Sequence, residues 1–298
     1  MPLTPIPLLF SSALASHYAL GYFESWNLES LQGVIDAAEE TRSPVIIGFN
    51  GEFLTGPGRL AQESIAVYAA LGRAAAASAS VPCGFTFNEC PNDAHVRAAV
   101  MAGFNLVMLA DPEAGYAEMT PRIATLVQFA HEHGVAVEAE LGELPNASTG
   151  KVVTARASQT DPELAARFVH ETGIDLLSVS VGNVHVLAQG ERELDLDLLA
   201  EIHRRTKTPL GLHGGTGIAL DSLKKAVGLG VTKVAFGTYL KQRYLAAVRL
   251  ALGSDESNPH KLLGMGGPED VLVAGRRAVR QAVLERIDVL GCCGRASI

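Results

Sequence analysis

Charge is scarce in this 298-residue chain, and basic charge scarcer still. Asp, Glu, Lys and Arg make up 19% of it, with 32 acidic against 24 basic side chains and a formal net charge of −8. There is no basic excess to build the face that nucleic acid or an anionic membrane requires, so neither is an expected partner. Cysteine is limited to Cys83, Cys90, Cys292 and Cys293, with no CxxC pair and no disulfide-framework spacing. That points to reduced thiols and a cytoplasmic setting. No apolar run reaches the roughly 18 residues a membrane-spanning helix needs. The mildly apolar N-terminus has three prolines in its first seven residues and no basic residue ahead of them. It reads as a short loop and first helix rather than a signal peptide. Low-complexity linkers are also missing, which leaves one domain over residues 1–298 with a C-terminal helical extension from about 258.

Hydrophobic residues, 48% of the chain, fall into short apolar runs each followed by a longer stretch of helical period. Strands are predicted to end near Tyr22, Asn50, Glu89, Asp111, Glu140, Val181, His213 and Gly237. The helical stretches run from Leu28 to Thr41, Arg59 to Ala79, Asp93 to Ala102, Pro121 to His133, Pro162 to Thr172, Leu196 to Thr206, Leu220 to Leu229 and Tyr239 to Leu252. Val, Ile and Leu with little alternation suit strands buried on both faces. Glycines at 103, 134, 173 and 230 stop helices before the next strand. Eight such units predict an α/β fold, a closed (β/α)8 TIM barrel with one extra C-terminal helix from Pro268 to Arg286 for packing or an oligomer contact. A doubly wound open sheet is the alternative, but no GxGxxG turn follows the first strand.

In such a barrel the chemistry sits at the C-terminal strand ends. There the sequence places Glu24, Asn50, Glu52, Asn88, Glu89, Asp111, Glu138, Glu140, Asn183, His185, His213 and Thr238. Several carboxylates in one mouth repel, and a divalent cation offsets that. His185 and His213 follow neighbouring strands and, with one or two carboxylates, suit Zn, Mn, Fe or Co. The turn His213-Gly214-Gly215-Thr216 and the turn Gly237-Thr238 bring backbone N–H groups to where an anion can sit, or else simply make tight turns.

TRSPVI, VEAELG, TDPELAARFVHETGIDLLSVSVGNVH, LHGGTG and GVTKV occur in order along the chain. With them the sequence resembles the class II, metal-dependent ketose-bisphosphate aldolases of the fructose- and tagatose-bisphosphate type. The resemblance implies zinc ligation by His185 and His213 and phosphate contacts from Gly214, Gly215, Thr216 and Thr238, beside which the turn glycine Gly237 is a further candidate. It also implies a metal-proximal Glu140 and a homodimer or homotetramer. The departures are specific. The family's strand-three Asp-His pair is Asn88-Glu89, which makes Glu89 the third metal ligand and deprives position 88 of a base. Ala235 and Val186 replace an asparagine and a glycine, and the loop ELPNASTGKVV lacks the usual Gly-Gly and, past Glu143, the usual acids. Near strand one, Phe-Asn becomes Phe23-Glu24. The expectation is a divergent metal-dependent lyase acting on a sugar or sugar-acid phosphate, with Asn88, Glu140 and Glu24 as catalytic candidates and Asn50 as a substrate contact. A metal-dependent isomerase or epimerase, and a non-catalytic binder of a phosphorylated metabolite, remain alternatives.

Overall fold

A computed structural model describes residues 3–142, 159–184 and 190–297. The chain begins with α1 (Ile6–Ser16), β1 (Leu20–Glu24), α2 (Leu28–Thr41) and β2 (Val45–Asn50). It continues with the short α3 (Gly51–Thr55), α4 (Ile65–Ser78), β3 (Cys83–Cys90), α5 (Asp93–Ala102) and β4 (Leu106–Leu109). Then come α6 (Tyr116–Glu132), β5 (Ala136–Leu141), α7 (Pro162–Thr172), β6 (Leu176–Val179), α8 (Leu196–Thr206) and β7 (Leu210–Leu212). The last elements are α9 (Leu220–Val227), β8 (Val231–Phe236), α10 (Thr238–Leu252), the short α11 (Pro259–Leu262) and α12 (Val271–Leu290).

The eight strands pair in chain order, all parallel, and β1 closes on β8 through Leu20–Lys233 and Phe23–Phe236. This is the closed barrel that the alternation of runs predicts. Its strands are buried on both faces because helices cover the outside while side chains fill the inside. Local chemistry sets the helix ends. Asn92 and Asp161 cap α5 and α7 by accepting from the backbone N–H groups of His95 and Leu164 at 3.1 and 2.7 Å. Gly103 and Gly173 end those helices in the left-handed conformation.

Two helices start elsewhere than the sequence suggests. After β2, Asn50 accepts from Phe53 N at 3.1 Å and starts α3 at once, and α4 begins at Ile65 rather than at Arg59, whose guanidinium instead bonds Glu63 and Tyr68. The α6 helix starts at Tyr116 and runs through Pro121, which forfeits one backbone donor inside it. The extra C-terminal helix lies three to four residues later than predicted. Asp270 caps it and Gly291 stops it. It packs against α2 and α10, and Arg276 bonds Asp36 with both oxygens at 2.6 and 2.7 Å. Among the described residues no helix is long and apolar enough to cross a membrane.

Candidate active site

The C-terminal ends of the strands surround a cavity of about 280 Å³ lined by Glu24, Asn50, Asn88, Glu89, His213 and Lys241, among others. Beneath it lies a buried polar stack that apolar patterning alone does not require. Glu138 on β5 and Lys233 on β8 are both wholly buried and form an ion pair across the barrel interior. Ser178 donates to Glu138 Oε1 at 2.7 Å, and His213 Nε2 lies 2.9 Å from the same oxygen. Burial alone would raise the Glu138 carboxyl, but the Lys233 charge and His213 outweigh it and hold it at about 2.

His213 follows β7, and its Nδ1 faces the opposite way from Glu138. Glu89 Oε1 is 2.7 Å from it and Glu140 Oε2 3.2 Å. Glu89 reaches that place through an irregularity in β3. The register with β4 shifts between Phe87 and Cys90, and Glu89 itself has φ of 53°. A left-handed non-glycine residue costs about 1–2 kcal/mol, and such outliers gather where a side chain must be re-aimed. Asn50 Nδ2 donates to Glu89 Oε2 at 2.6 Å and so holds the re-aimed carboxylate in position.

Burial would depress the His213 imidazolium, but the Glu89 charge and the contacts to Glu138 and Glu89 reverse this and push it up to about 10. A folded-state value above the ordinary 6.5 means that folding favours the protonated ring. The stabilisation is therefore fully present below pH 6.5 and lost as pH rises through 10. In the metal-free protein the urea midpoint should fall between those pH values, and the His213→Gln variant should lack that component. Equal slopes for the two proteins would show that the ring is neutral.

Asn88, 2% exposed, accepts from Lys233 Nζ at 3.1 Å through Oδ1. Lysine is a donor only, so this contact fixes the amide and leaves Nδ2 of this cavity-lining residue uncommitted by it. Lys233 also lies 4.9 Å from the centroid of the Tyr22 ring. The Tyr22 hydroxyl is buried at the cavity wall with no hydrogen-bond partner among the described residues.

The turn expected to cradle an anion is tightly packed. Gly214 has φ of 68°, and a Cβ on Gly215 would stand 2.7 Å from Val234 and Phe236, so only glycine lets this turn lie against β8. Gly214, Thr216, Gly237 and Thr238 line the cavity. Two of its groups are already engaged, however. Thr216 Oγ1 accepts from Tyr239 N at 3.2 Å in the first turn of α10. Glu24 pairs with Lys241 and lies against Gly237, in the space a side chain there would take.

The structure gathers most of the sequence candidates and separates a few. Glu89, His213 and Glu140 converge. Asn88, Asn50 and Glu24 face the same cavity. His185 lies outside the described residues. Asp111 turns away to Arg122 at 2.9 Å, and Glu52 is exposed. Asn183 is consumed by backbone groups, accepting from Val181 N at 2.9 Å and donating to Val179 O and His213 O. Sequence reading counts Glu138 among the carboxylates of the mouth, whereas it lies buried on Lys233, and it passes over Lys233, Lys241 and Tyr22 as site residues. A lysine inside the apolar run VTKVAF is the available signal for Lys233.

Among the described residues no group of three or more His, Cys, Asp or Glu is arranged to hold a metal ion as it stands. The donor chemistry nevertheless fits one. An imidazole whose far nitrogen rests on a buried carboxylate, with further carboxylates at its free face, is the arrangement metal-binding histidines use.

A sequence model of class II fructose-bisphosphate aldolase matches residues 6–295. The chain belongs to this aldolase family. It is 32% identical to the probable fructose-bisphosphate aldolase of Bacillus subtilis (strain 168), covering 99% of this chain and all of that one. It is also 32% identical to the uncharacterized protein YdjI of Escherichia coli K12 over 96% of each chain. The crystal structure of the E. coli YdjI aldolase superposes with a TM-score of 0.83, 31% identity and 99% coverage of this chain. A putative fructose-1,6-bisphosphate aldolase from Coccidioides immitis, 23% identical with a TM-score of 0.81, shares the fold. Within the aldolase family, then, this member puts an amide locked by Lys233 and a left-handed Glu89 where the resemblance calls for an acid and a histidine.

Proposed function

We propose that the protein is a metal-dependent aldehyde-lyase of the class II aldolase type, cleaving or forming a C–C bond in a sugar or sugar-acid phosphate. The observation that carries this reading is His213, anchored through Nε2 on Glu138 and offering Nδ1 to Glu89 and Glu140 at the floor of the cavity. Glu89 and His213 would hold the ion, together with His185. Zinc is the first choice and Mn, Fe or Co the others. A bound divalent cation supplies the Lewis acid that polarises a substrate carbonyl.

The remaining work belongs to the side chains. Asn88 presents Nδ2 to a substrate oxygen that gains negative charge. Glu140 has the carboxylate placed beside the metal-binding face to take up a substrate proton. Asn50 holds Glu89, and Glu24 meets the substrate end near α10. By family, we expect a homodimer or homotetramer.

The test is metal analysis of the purified protein beside its Glu89→Ala variant. Wild type should carry close to one divalent ion per chain, and the variant at least about tenfold less under equal competition with a chelator. Equal metal in both removes Glu89 from the ligand set, and metal in neither removes the reading.

A further inference from the structure

We propose that Glu24 selects substrates whose end at the start of α10 is an uncharged, hydroxyl-bearing carbon rather than a phosphate ester. This deepens the aldolase reading and rests on it for the identity of the reaction.

In a barrel mouth the start of α10 is the natural place for a phosphate. Its backbone N–H groups face outwards, the helix dipole favours an anion, and Gly237 leaves room for close approach. In this chain a carboxylate of the protein already holds that place. Glu24 ends β1, is buried to within 9%, and sits against Gly237. Its other oxygen pairs with Lys241, from the first turn of α10. Lys241 is further fixed by the Phe53 ring, whose centroid is 4.3 Å from Nζ. The Thr216 hydroxyl, a second group suited to a phosphate oxygen, accepts from Tyr239 N instead.

A phosphate dianion entering here would meet the Glu24 carboxylate a few ångströms away in a partly desolvated cavity. Lys241, the cation beside this end of the cavity, is already paired with Glu24, and a metal held at His213 and Glu89 serves the carbonyl end of the substrate rather than this one. Among the described lining residues the other group able to carry positive charge is His213, itself set between Glu89 and Glu138. A hydroxyl meets no such penalty. It can donate to Glu24, accept from Lys241, and engage Tyr22, which lies two residues before Glu24 on the same face of β1 and whose buried hydroxyl has no partner among the described residues. The substrate is accordingly a ketose whose carbonyl-side terminus is a free CH2OH group, with any phosphate carried at its far end.

Two measurements on the metal-supplemented full-length protein test this. The first is solvent exchange of the α-proton of dihydroxyacetone and of dihydroxyacetone phosphate by wild type and Glu24→Gln. Wild type should favour dihydroxyacetone in kcat/KM by at least about tenfold. The variant, having lost the like charge and released Lys241, should move the ratio towards the phosphate ester by about a hundredfold, on the scale of a full charge removed from a desolvated site. The second is calorimetric titration with inorganic phosphate, which needs no turnover. Glu24→Gln should bind it at least tenfold more tightly than wild type. A wild type that prefers the phosphate ester, or that binds phosphate as tightly as the variant, overturns the proposal. Exchange in neither ketone, with the gain in phosphate binding intact, would strike down the aldolase reading and leave the selection by Glu24 standing.

Discussion

Replacing Lys233 with methionine is expected to destabilise the fold by about 3–5 kcal/mol, the loss usual when one partner of a buried ion pair is removed. Methionine matches the volume and keeps the strand apolar, so the effect isolates the charge. Without the ammonium, Glu138 is left wholly buried with Ser178 and His213 as its remaining donors. Asn88 Oδ1 also loses the donor that orients it. The measurement is urea unfolding at neutral pH. Combining Lys233→Met with Glu138→Gln should recover part of the loss, because no uncompensated carboxylate remains, though not all of it, because His213 then rests on a neutral amide. A loss below 1 kcal/mol for the single variant would mean that water or a rearranged His213 replaces the lysine, and that the stack under the cavity is not a rigid unit.

The barrel was legible because its signal repeats. Eight apolar runs, most of them ended by a polar residue and separated by helical stretches, four of which close on a stop glycine, leave little else for the chain to form. Boundaries were less legible where a side chain acts on the backbone. Asn50 starts α3 directly after β2, and nothing in a hydrophobic period reveals that cap. In the mouth, position along the chain was enough to gather Asn88, Glu89, Glu140 and His213 at one level of the barrel. What they do to one another was not readable. Glu138 and Lys233 meet only because β5 and β8 face each other across the interior, 95 residues apart in sequence. Glu24 and Lys241 are joined by barrel closure over 217 residues. Glycine turns pointed to the start of α10, but not to the Glu24 carboxylate that stands against Gly237 there.

Asn88 is the position where the chemistry of this chain departs furthest from the resemblance, and its substitution should have the largest catalytic effect. The Lys233 contact commits Oδ1 and leaves Nδ2 as a donor at the cavity wall. A fixed donor aimed at an oxygen that becomes negative is worth more in the transition state than in the ground state, because the protein has oriented it beforehand. Asn88→Ala should therefore lower kcat for α-proton exchange of dihydroxyacetone by about 10²–10³ while leaving KM within a few-fold. Asn88→Asp separates this from the role the family's acid would suggest. An ionised carboxylate facing Lys233 donates nothing to the substrate, so the aspartate variant should remain as slow as the alanine one at pH 7–8. Its stability should stay close to wild type, since the lysine keeps a partner. If aspartate instead restores or raises the rate, position 88 needs a proton acceptor, Glu140 is not the base, and the amide in this chain marks a site turned down rather than re-equipped.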